Sequence, residues 1–250
     1  MDGMNQFFAT TTLIFFRLLP IWIVAPIAMF KRIPALVRIV LSIAIAIILT
    51  VGYTNTPLHA VVDMNWMSLG SEFLLGLILA FGFHAAQGSV QTMGHIIDQQ
   101  VGFSAASVFD PASEQTQSLI GELLTLIVLI AFLTFDVHHA LLRGIASTMS
   151  LIPPGHPLTL NSSSLWQVLG LQFAFGFALT CPVILTLWLV DVTLALTSRS
   201  LPQANIYFVA LPIKIGIGLL LVVWLSSHAL PQIAHMFESV FDSWALLFQE

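Results

Sequence analysis

The residues of this sequence that could do chemistry are few and isolated. His138 and His139 stand beside Asp136, and imidazole and carboxylate groups are types that bind transition metals. Adjacent residues on a helix point in different directions, however, and no pair of histidines four residues apart accompanies a glutamate. We therefore expect neither a metal site nor a cofactor.

Motifs of catalysis are also missing from the sequence. It contains no Gly-x-Ser-x-Gly elbow, no phosphate-binding loop and no dinucleotide fingerprint. The single cysteine, Cys181, excludes a disulfide framework and a site built from several cysteines. The sequence thus predicts a protein that is not an enzyme, and any transport must take its energy from elsewhere.

Among the charged residues, Glu72, Glu122, Asp191 and Lys214 lie inside or at the ends of long apolar stretches. An unpaired charge in hydrocarbon is costly, so we expect each to pair with another helix or another subunit. An ion pair that fixes helix register is favoured over a proton relay. The sequence does not specify which acid meets Lys214.

The composition explains where these helices must lie. Of the 250 residues, 58% are hydrophobic and only 8% are charged, whereas soluble domains carry about 25% charged residues. A bilayer or partner proteins must therefore surround most of the surface. The net charge is −5, and the seven Lys and Arg residues stand singly or in one small cluster, so no basic face could follow a nucleic acid.

Long apolar stretches predict an all-α polytopic membrane protein of about six hydrophobic helices. They run over Phe7–Phe30, Ile39–Tyr53, Trp66–Ala86, Leu119–Phe135, Leu165–Val190 and Ile206–Leu230. Several contain proline, which removes a helix donor and persists in a membrane only beside covering neighbours. These prolines are Pro20, Pro26, Pro182 and Pro212.

The basic residues suggest an orientation. Lys31, Arg32 and Arg38 cluster in the first connection, which places it inside by the positive-inside tendency. The third connection would then also lie inside, although it carries Asp98, Asp110 and Glu114. Either this topology is wrong or the third connection is enclosed in a protein assembly.

Helical periodicity continues past Ala86. A polar stripe of His84, Gln87, Gln91, His95 and Asp98 steps by three or four residues. An apolar face is formed by Val90, Met93, Ile97 and Val101. The stripe is either the solvated side of a helix that emerges into water or a surface that lines a channel or contacts a partner helix.

A compact apolar loop follows, from Gly102 to Ser113. Gly102 frees the backbone, and Phe103, Val108 and Phe109 alternate with small residues. Asp110 can cap the next helix, and Pro111 fits its first position. The loop either fills a core or occludes a pore, and the pattern alone favours the core.

Six short motifs occur in one order along the chain. They are Ile33-Pro34 with Arg38, Asp110-Pro111-Ala112-Ser113, Leu133 to His138, Leu151 to Gly155, Ser198-Arg199 with Pro202 to Ile206, and Pro212-Ile213-Lys214. In these motifs nearly the whole chain resembles the FliR-type flagellar biosynthesis proteins and their virulence counterparts, the T subunits of type III secretion export apparatus. The Asp-Pro-Ala-Ser motif favours the flagellar kind. One departure is Asp136-Val137, where the family often has Asn-Gly, so the role of that turn is not carried over.

The resemblance implies helical hairpins in a shallow helical export gate in the bacterial inner membrane, at the flagellar basal body. Residues 1–160 would be P-subunit-like and 161–250 a Q-subunit-like hairpin. The partners would be about five P-type and about four Q-type subunits, the export-switch subunit and the unfolded proteins that are secreted. The loop before Asp-Pro-Ala-Ser would contribute a plug, comprising Gly102, Phe103, Val108, Phe109, Asp110 and Pro111, which reverses the preference for core filling.

Further contacts follow from the same resemblance and from the charges. The turn with Gln203 and Asn205 is either a plain hairpin tip or a contact for the export-switch subunit. Arg38, Arg199 and Lys214, with Glu72 and Glu122, are candidates for subunit contact or ion pairing. The competing hypothesis is a small-solute transporter, but only a faint internal repeat supports it.

Overall fold

The structure is a computed structural model that describes residues 2–24, 33–54, 64–103, 118–156, 162–200 and 206–247. These residues form seven α-helices. They are α1 (Asp2–Val24), α2 (Ala35–Thr54), α3 (Trp66–Val101), α4 (Leu119–Thr134), α5 (Val137–Leu151), α6 (Ser162–Ser200) and α7 (Ile206–Leu247). The predicted all-α class is confirmed.

The number of possible membrane spans also agrees with the sequence. Within the described residues, five helices are long and apolar enough to cross a bilayer: α1, α2, α3, α6 and α7. A sixth span would consist of α4 and α5 together, which are bent by 70° at a short break. The chain is therefore a polytopic membrane protein, whose described residues contain five or six candidate spans.

Helix α5 was not predicted, because its pattern is amphipathic instead of continuously apolar. Its buried residues recur at helical spacing: Val137, Leu141, Ile145, Thr148 and Met149. Asp136, which precedes it, has a φ of 53°, a left-handed conformation that few residues other than glycine adopt. That residue produces the bend where the predicted fourth helix ends.

Three helices are longer than a bilayer requires. Helix α3 continues to Val101, as the periodicity past Ala86 predicts, while α6 and α7 extend beyond their predicted ends at Val190 and Leu230. At about 1.5 Å per residue, α3, α6 and α7 are roughly 54–63 Å long, against about 30 Å for a hydrocarbon core. The length of an apolar stretch in the sequence therefore predicts only the hydrophobic part of such a helix.

Helices α1, α6 and α7 continue through their prolines, as Pro20 shows in α1. There, Gly76 of α3 lies so close that an added Cβ would meet the Arg17 carbonyl oxygen and Pro20 Cδ. The expectation that proline-containing helices have close protein neighbours is thus confirmed for α1. Pro26, Lys31 and Arg32 lie outside the described residues.

The chain divides into two compact units. Unit 1 comprises Met1–Ala85, Phe132–Leu169 and Phe237–Glu250, and unit 2 comprises Ala86–Ala131 and Gly170–Met236. The expected division at residue 160 concerns likeness to other subunits and stays a prediction.

An aromatic cluster forms part of the core of unit 1. Phe83 is 2% exposed, and its ring centroid lies 5.6 to 6.0 Å from those of Phe237, Phe241 and Trp244. Gly144 gives room for this cluster, since an added Cβ would lie 2.8 Å from Trp244 Cζ3. Helix α1 also packs against α2 in this unit.

The core of unit 2 is built from the predicted apolar face of α3. Val90, Met93, Ile97 and Val101 are all buried, which confirms that face. Small residues bring the helix backbones close in this unit, and an added Cβ at Gly176 would lie 2.7 Å from Ser89 Oγ.

Phe83→Ala should destabilise the protein by roughly 3–5 kcal/mol, because it removes a ring that three aromatic side chains surround. Phe73→Ala, on the same helix but 37% exposed, is the control and should cost much less. Thermal unfolding in detergent micelles would measure both. Equal losses for the two variants would contradict the importance of the aromatic cluster.

Candidate functional site

The end of α3 is the start of the predicted plug. Gly102 has a φ of 99°, and the backbone N–H groups of Gly102 and Phe103 both donate to the Asp98 carbonyl oxygen, at 3.0 and 3.1 Å. This is a glycine-terminated helix end that satisfies a free carbonyl. The expectation that Gly102 frees the backbone is confirmed.

Helix α7 holds this helix end in unit 2. An added Cβ at Gly218 would lie 2.5 Å from Val101 Cγ2, and one at Gly102 would lie 2.9 Å from Leu211 Cδ1. Phe103 is half-buried. The other predicted plug residues lie outside the described residues: Val108, Phe109, Asp110 and Pro111.

The acid that the sequence could not assign to Lys214 is Asp191. Lys214 Nζ lies 2.7 Å from Asp191 Oδ1 and 2.8 Å from Oδ2, and the side chains are 16% and 46% exposed. The pair joins α6 to α7, and because only residues 201–205 separate these helices, they run antiparallel. It also lines a cavity of about 400 Å³, together with Gln99, Gln100, Gly102, Leu194, Ser198 and Leu211.

The exposure of the predicted polar stripe of α3 changes at its last residue. Gln87 is half-buried, Gln91 and His95 are exposed, but Asp98 is only 3% exposed. The Asp98 carboxylate accepts from the Ile120 backbone N–H at the start of α4, with both oxygens at 3.2 Å. The Asp98 side chain therefore lies in the packed interior, where the backbone N–H of Ile120 provides its carboxylate with a hydrogen-bond donor.

Among the described residues of unit 1, the most buried charged group is Arg17, whose role was not predicted from the sequence. Arg17 Nε donates to Glu72 Oε2 at 2.6 Å and Nη2 donates to Oε1 at 3.0 Å. Their side chains are 0% and 1% exposed. This bidentate geometry is the strong form of an ion pair, and it confirms that Glu72 is paired.

Neighbouring groups complete the Arg17–Glu72 network. Arg17 also donates to Thr148 Oγ1 at 3.3 Å and to the Ile152 carbonyl oxygen at 3.0 Å. The Gly155 backbone N–H donates to Glu72 Oε1 at 2.8 Å. The network thus joins α1, α3, the end of α5 and the turn that follows it. A signal was available in the sequence, since Arg17 is a single cation inside an apolar stretch.

The remaining predicted contact residues lie in several places. Arg38 Nη1 donates to the Ile23 carbonyl oxygen at 3.2 Å, so its charge lies at the C-terminal end of α1, where a cation is favourable. Arg199 is exposed in the last turn of α6, and Glu122 is exposed in the first turn of α4. Pairing of Glu122 with another subunit stays a prediction. Gln203 and Asn205 lie outside the described residues.

The histidine pair is arranged differently from the expectation. The rings of His138 and His139 lie 4.1 Å apart, and with Asp136 they offer ligand atoms within 4.8 Å of one another. The argument that adjacent side chains must point apart was therefore wrong. These groups stand at the N-terminus of α5, however. The partial positive charge of a helix N-terminus stabilises the Asp136 carboxylate and disfavours a bound cation.

Comparison with known proteins shows the family of this chain. Residues 8–240 match the family described as bacterial export proteins, family 1. The chain belongs to this family. The resemblance read from the six motifs is thereby confirmed over nearly the whole length of this export-family protein.

Individual relatives agree with the family. The flagellar biosynthetic protein FliR of Bacillus subtilis is 28% identical over 229 residues, which cover 89% of this chain and 88% of the relative. FliR of Escherichia coli is 29% identical over 238 residues, with coverage of 94% and 90%. The secretion system apparatus protein SsaT of Salmonella typhimurium is 24% identical over 183 residues, with 70% of each chain covered.

Arg17→Met should destabilise this export-family protein by roughly 3–5 kcal/mol, because it leaves the Glu72 carboxylate buried without its partner. Adding Glu72→Gln should recover part of the loss, since the amide is neutral and can still accept from Gly155. Unfolding of the purified protein in detergent would measure both. Lys214→Met is the control and should cost less, because Asp191 is half-exposed and water can hydrate it. Additive losses in the double variant would contradict the coupling of Arg17 with Glu72.

Proposed function

We propose that this chain is a subunit of the flagellar type III protein export gate. It would lie in the bacterial inner membrane at the flagellar basal body, and help to form and seal the channel through which unfolded flagellar proteins are secreted. The observation that carries this proposal is the match of residues 8–240 to the bacterial export proteins, together with relatives named as flagellar biosynthetic proteins.

Exposed apolar surface supports a role inside a larger complex. The most apolar stretches of α2 and α7 are each only 17% buried within the chain. On α7, Leu220 and Val223 are 71% and 67% exposed. Exposed apolar faces of this extent need lipid or other subunits to cover them, and a gate subunit has both.

The proposed partners are about five P-type and about four Q-type subunits and the export-switch subunit. In this proposal residues 1–160 correspond to a P-type subunit and residues 161–250 to a Q-type subunit. The antiparallel helices α6 and α7, joined by Lys214 and Asp191, support a C-terminal hairpin of that kind. Gln203 and Asn205, between these helices, are then candidates for contact with the export-switch subunit.

The plug is proposed to consist of residues 102–111. Its starting point supports this role, because Gly102 turns the chain away from α3 while Val101 is packed against Gly218. Phe103, Val108 and Phe109 would close the pore with apolar rings and a branched side chain. Such a role requires no catalytic group in this chain, and the energy for export would come from other components.

The flagellar kind is favoured over the virulence kind. These two FliR relatives match at 28–29% identity over about nine tenths of the chain, whereas SsaT matches at 24% over 70%.

Co-purification with other subunits distinguishes a gate subunit from a small-solute transporter, which is the competing hypothesis.

When the chain is expressed with P-type and Q-type subunits, we expect it to purify in one stable mixed complex, because its apolar faces need subunits to cover them. Size-exclusion chromatography followed by native mass spectrometry would measure the composition. The chain expressed alone is the control and should form no defined particle. A monodisperse chain that binds a small solute and ignores the other subunits would contradict the gate proposal.

Changing Phe103 and Phe109 together to Ala should leave assembly intact and raise ion flux through the closed complex, because the seal loses two rings. Ion efflux from liposomes that contain the complex would measure this. Phe135→Ala with Phe177→Ala removes two rings at positions outside the plug and should leave the flux unchanged. If the plug variant were as tight as the unaltered complex, the segment would be core packing.

A further inference from the structure

The cavity in unit 2 lies between the end of α3, the second half of α6 and the first turns of α7. Its volume of about 400 Å³ falls within the roughly 300–1,000 Å³ of pockets that bind small molecules. Leu194 and Leu211 give it apolar walls, while Gln100, Asp191 and Lys214 are among its polar lining residues. The cavity therefore suits a ligand that has both an apolar part and a polar part.

Gln100 offers such a ligand a hydrogen-bond acceptor. Its Oε1 atom is buried and has no hydrogen-bond partner within the part of the chain that the structure describes. A buried oxygen that lacks a donor costs free energy. A ligand that donates a hydrogen bond to Gln100 Oε1 should therefore bind more tightly than one that has no donor at this position.

Lys214 and Asp191 offer a ligand two opposite charges. Lys214 Nζ lies 2.7 Å from Asp191 Oδ1 and 2.8 Å from Oδ2. Because an ammonium group has three N–H donors, at least one of them remains for an anionic group of a ligand. Asp191 is half-exposed, so its carboxylate can accept a further hydrogen bond. No other charged residue that the structure describes lines the cavity, so a ligand without net charge fits it best.

The exposed surface of α6 changes from apolar to polar at Asp191. Before it, Leu185, Trp188 and Leu189 are each more than half exposed. After it, most exposed residues of α6 are polar, namely Thr193, Thr197, Ser198, Arg199 and Ser200. Tryptophan is enriched where membrane helices pass from hydrocarbon to head groups. This change therefore indicates that the cavity lies at the level of the lipid head groups.

We propose that this cavity binds the head group of a zwitterionic phospholipid with a primary ammonium group, of the ethanolamine type. The phosphate accepts from Lys214, and the ammonium group donates to Gln100 Oε1 and to Asp191. The glycerol part of the lipid contacts Leu194 and Leu211. This inference goes beyond the proposed export function and does not depend on it.

The same contacts distinguish this head group from two others. A choline head group has no N–H, so it cannot donate to Gln100 Oε1. A glycerol head group has hydroxyl donors, but it leaves the lipid with a net negative charge beside Asp191. The ethanolamine head group alone among these three combines a donor with zero net charge.

The test uses the whole chain in the complex in which it purifies, stripped of lipid in detergent. Dioleoyl lipids with ethanolamine, choline or glycerol head groups are then added separately, and native mass spectrometry measures the Kd of each. We expect the ethanolamine lipid to bind roughly tenfold more tightly than the choline lipid, because it gains a hydrogen bond from a charged donor. The glycerol lipid should also bind more weakly than the ethanolamine lipid.

Substitutions at Gln100 connect this preference to the cavity. Gln100→Leu removes the acceptor at similar size, so it should weaken binding of the ethanolamine lipid to the level of the choline lipid. Gln100→Glu retains an acceptor oxygen and should retain the preference. Gln91→Leu makes the same change as Gln100→Leu at an exposed position of α3 and should leave all three affinities unaltered.

Three results would overturn the inference. The first is equal binding of the ethanolamine and choline lipids by the unaltered protein, a comparison that gives a result even if Gln100→Leu does not fold. The second is an unchanged preference in folded Gln100→Leu. The third is competition by glycerophosphoethanolamine, the head group without acyl chains, at the concentrations at which the lipid binds, since the cavity would then bind a soluble zwitterion instead of a lipid.

Discussion

The removal of charge from water is the constraint on which the fold of unit 1 depends. Arg17 and Glu72 are 0% and 1% exposed, and the desolvation of such groups costs several kcal/mol for each ion. Only a complete set of partners offsets that cost, so Thr148, the Ile152 carbonyl and the Gly155 N–H must all stand in place. The pair therefore specifies the register of α1 and α3 more than it adds to stability.

The other charged groups meet the same constraint with different partners according to their burial. Lys214 and Asp191 are partly exposed, so water shares in their solvation and a single ion pair suffices. Asp98 is nearly as buried as Glu72, but its partner is the Ile120 backbone N–H at the start of a helix. Arg38 uses the carbonyl groups of a helix end. In each case the partner belongs to another helix, so each of these pairings also fixes a contact between two helices.

The sequence predicted those features that follow from local pattern. The apolar stretches, the continuation of α3 to Val101, its buried face and the turn at Gly102 were all predicted, because hydropathy, helical period and glycine act within a few residues. Features that depend on pairing between distant residues were not. Asp191 as the partner of Lys214, Glu72 as the partner of Arg17, and the inward position of Asp98 arise only when helices pack. Helix α5 was missed for a local reason, since its period is amphipathic and no long apolar run marks it.

Small residues explain how so many partners come within hydrogen-bonding distance. Gly76 admits the Arg17 backbone, Gly94 meets Gly121, and Gly218 admits Val101. Helices in a membrane gain little from apolar burial against one another, because lipid is equally apolar, so close backbone packing and polar contacts must hold them together. Each glycine contact lies within a few residues of Glu72, Asp98 or Lys214. The glycines and the charged side chains thus act together, because the close approach of helix backbones at glycine makes the polar contacts possible.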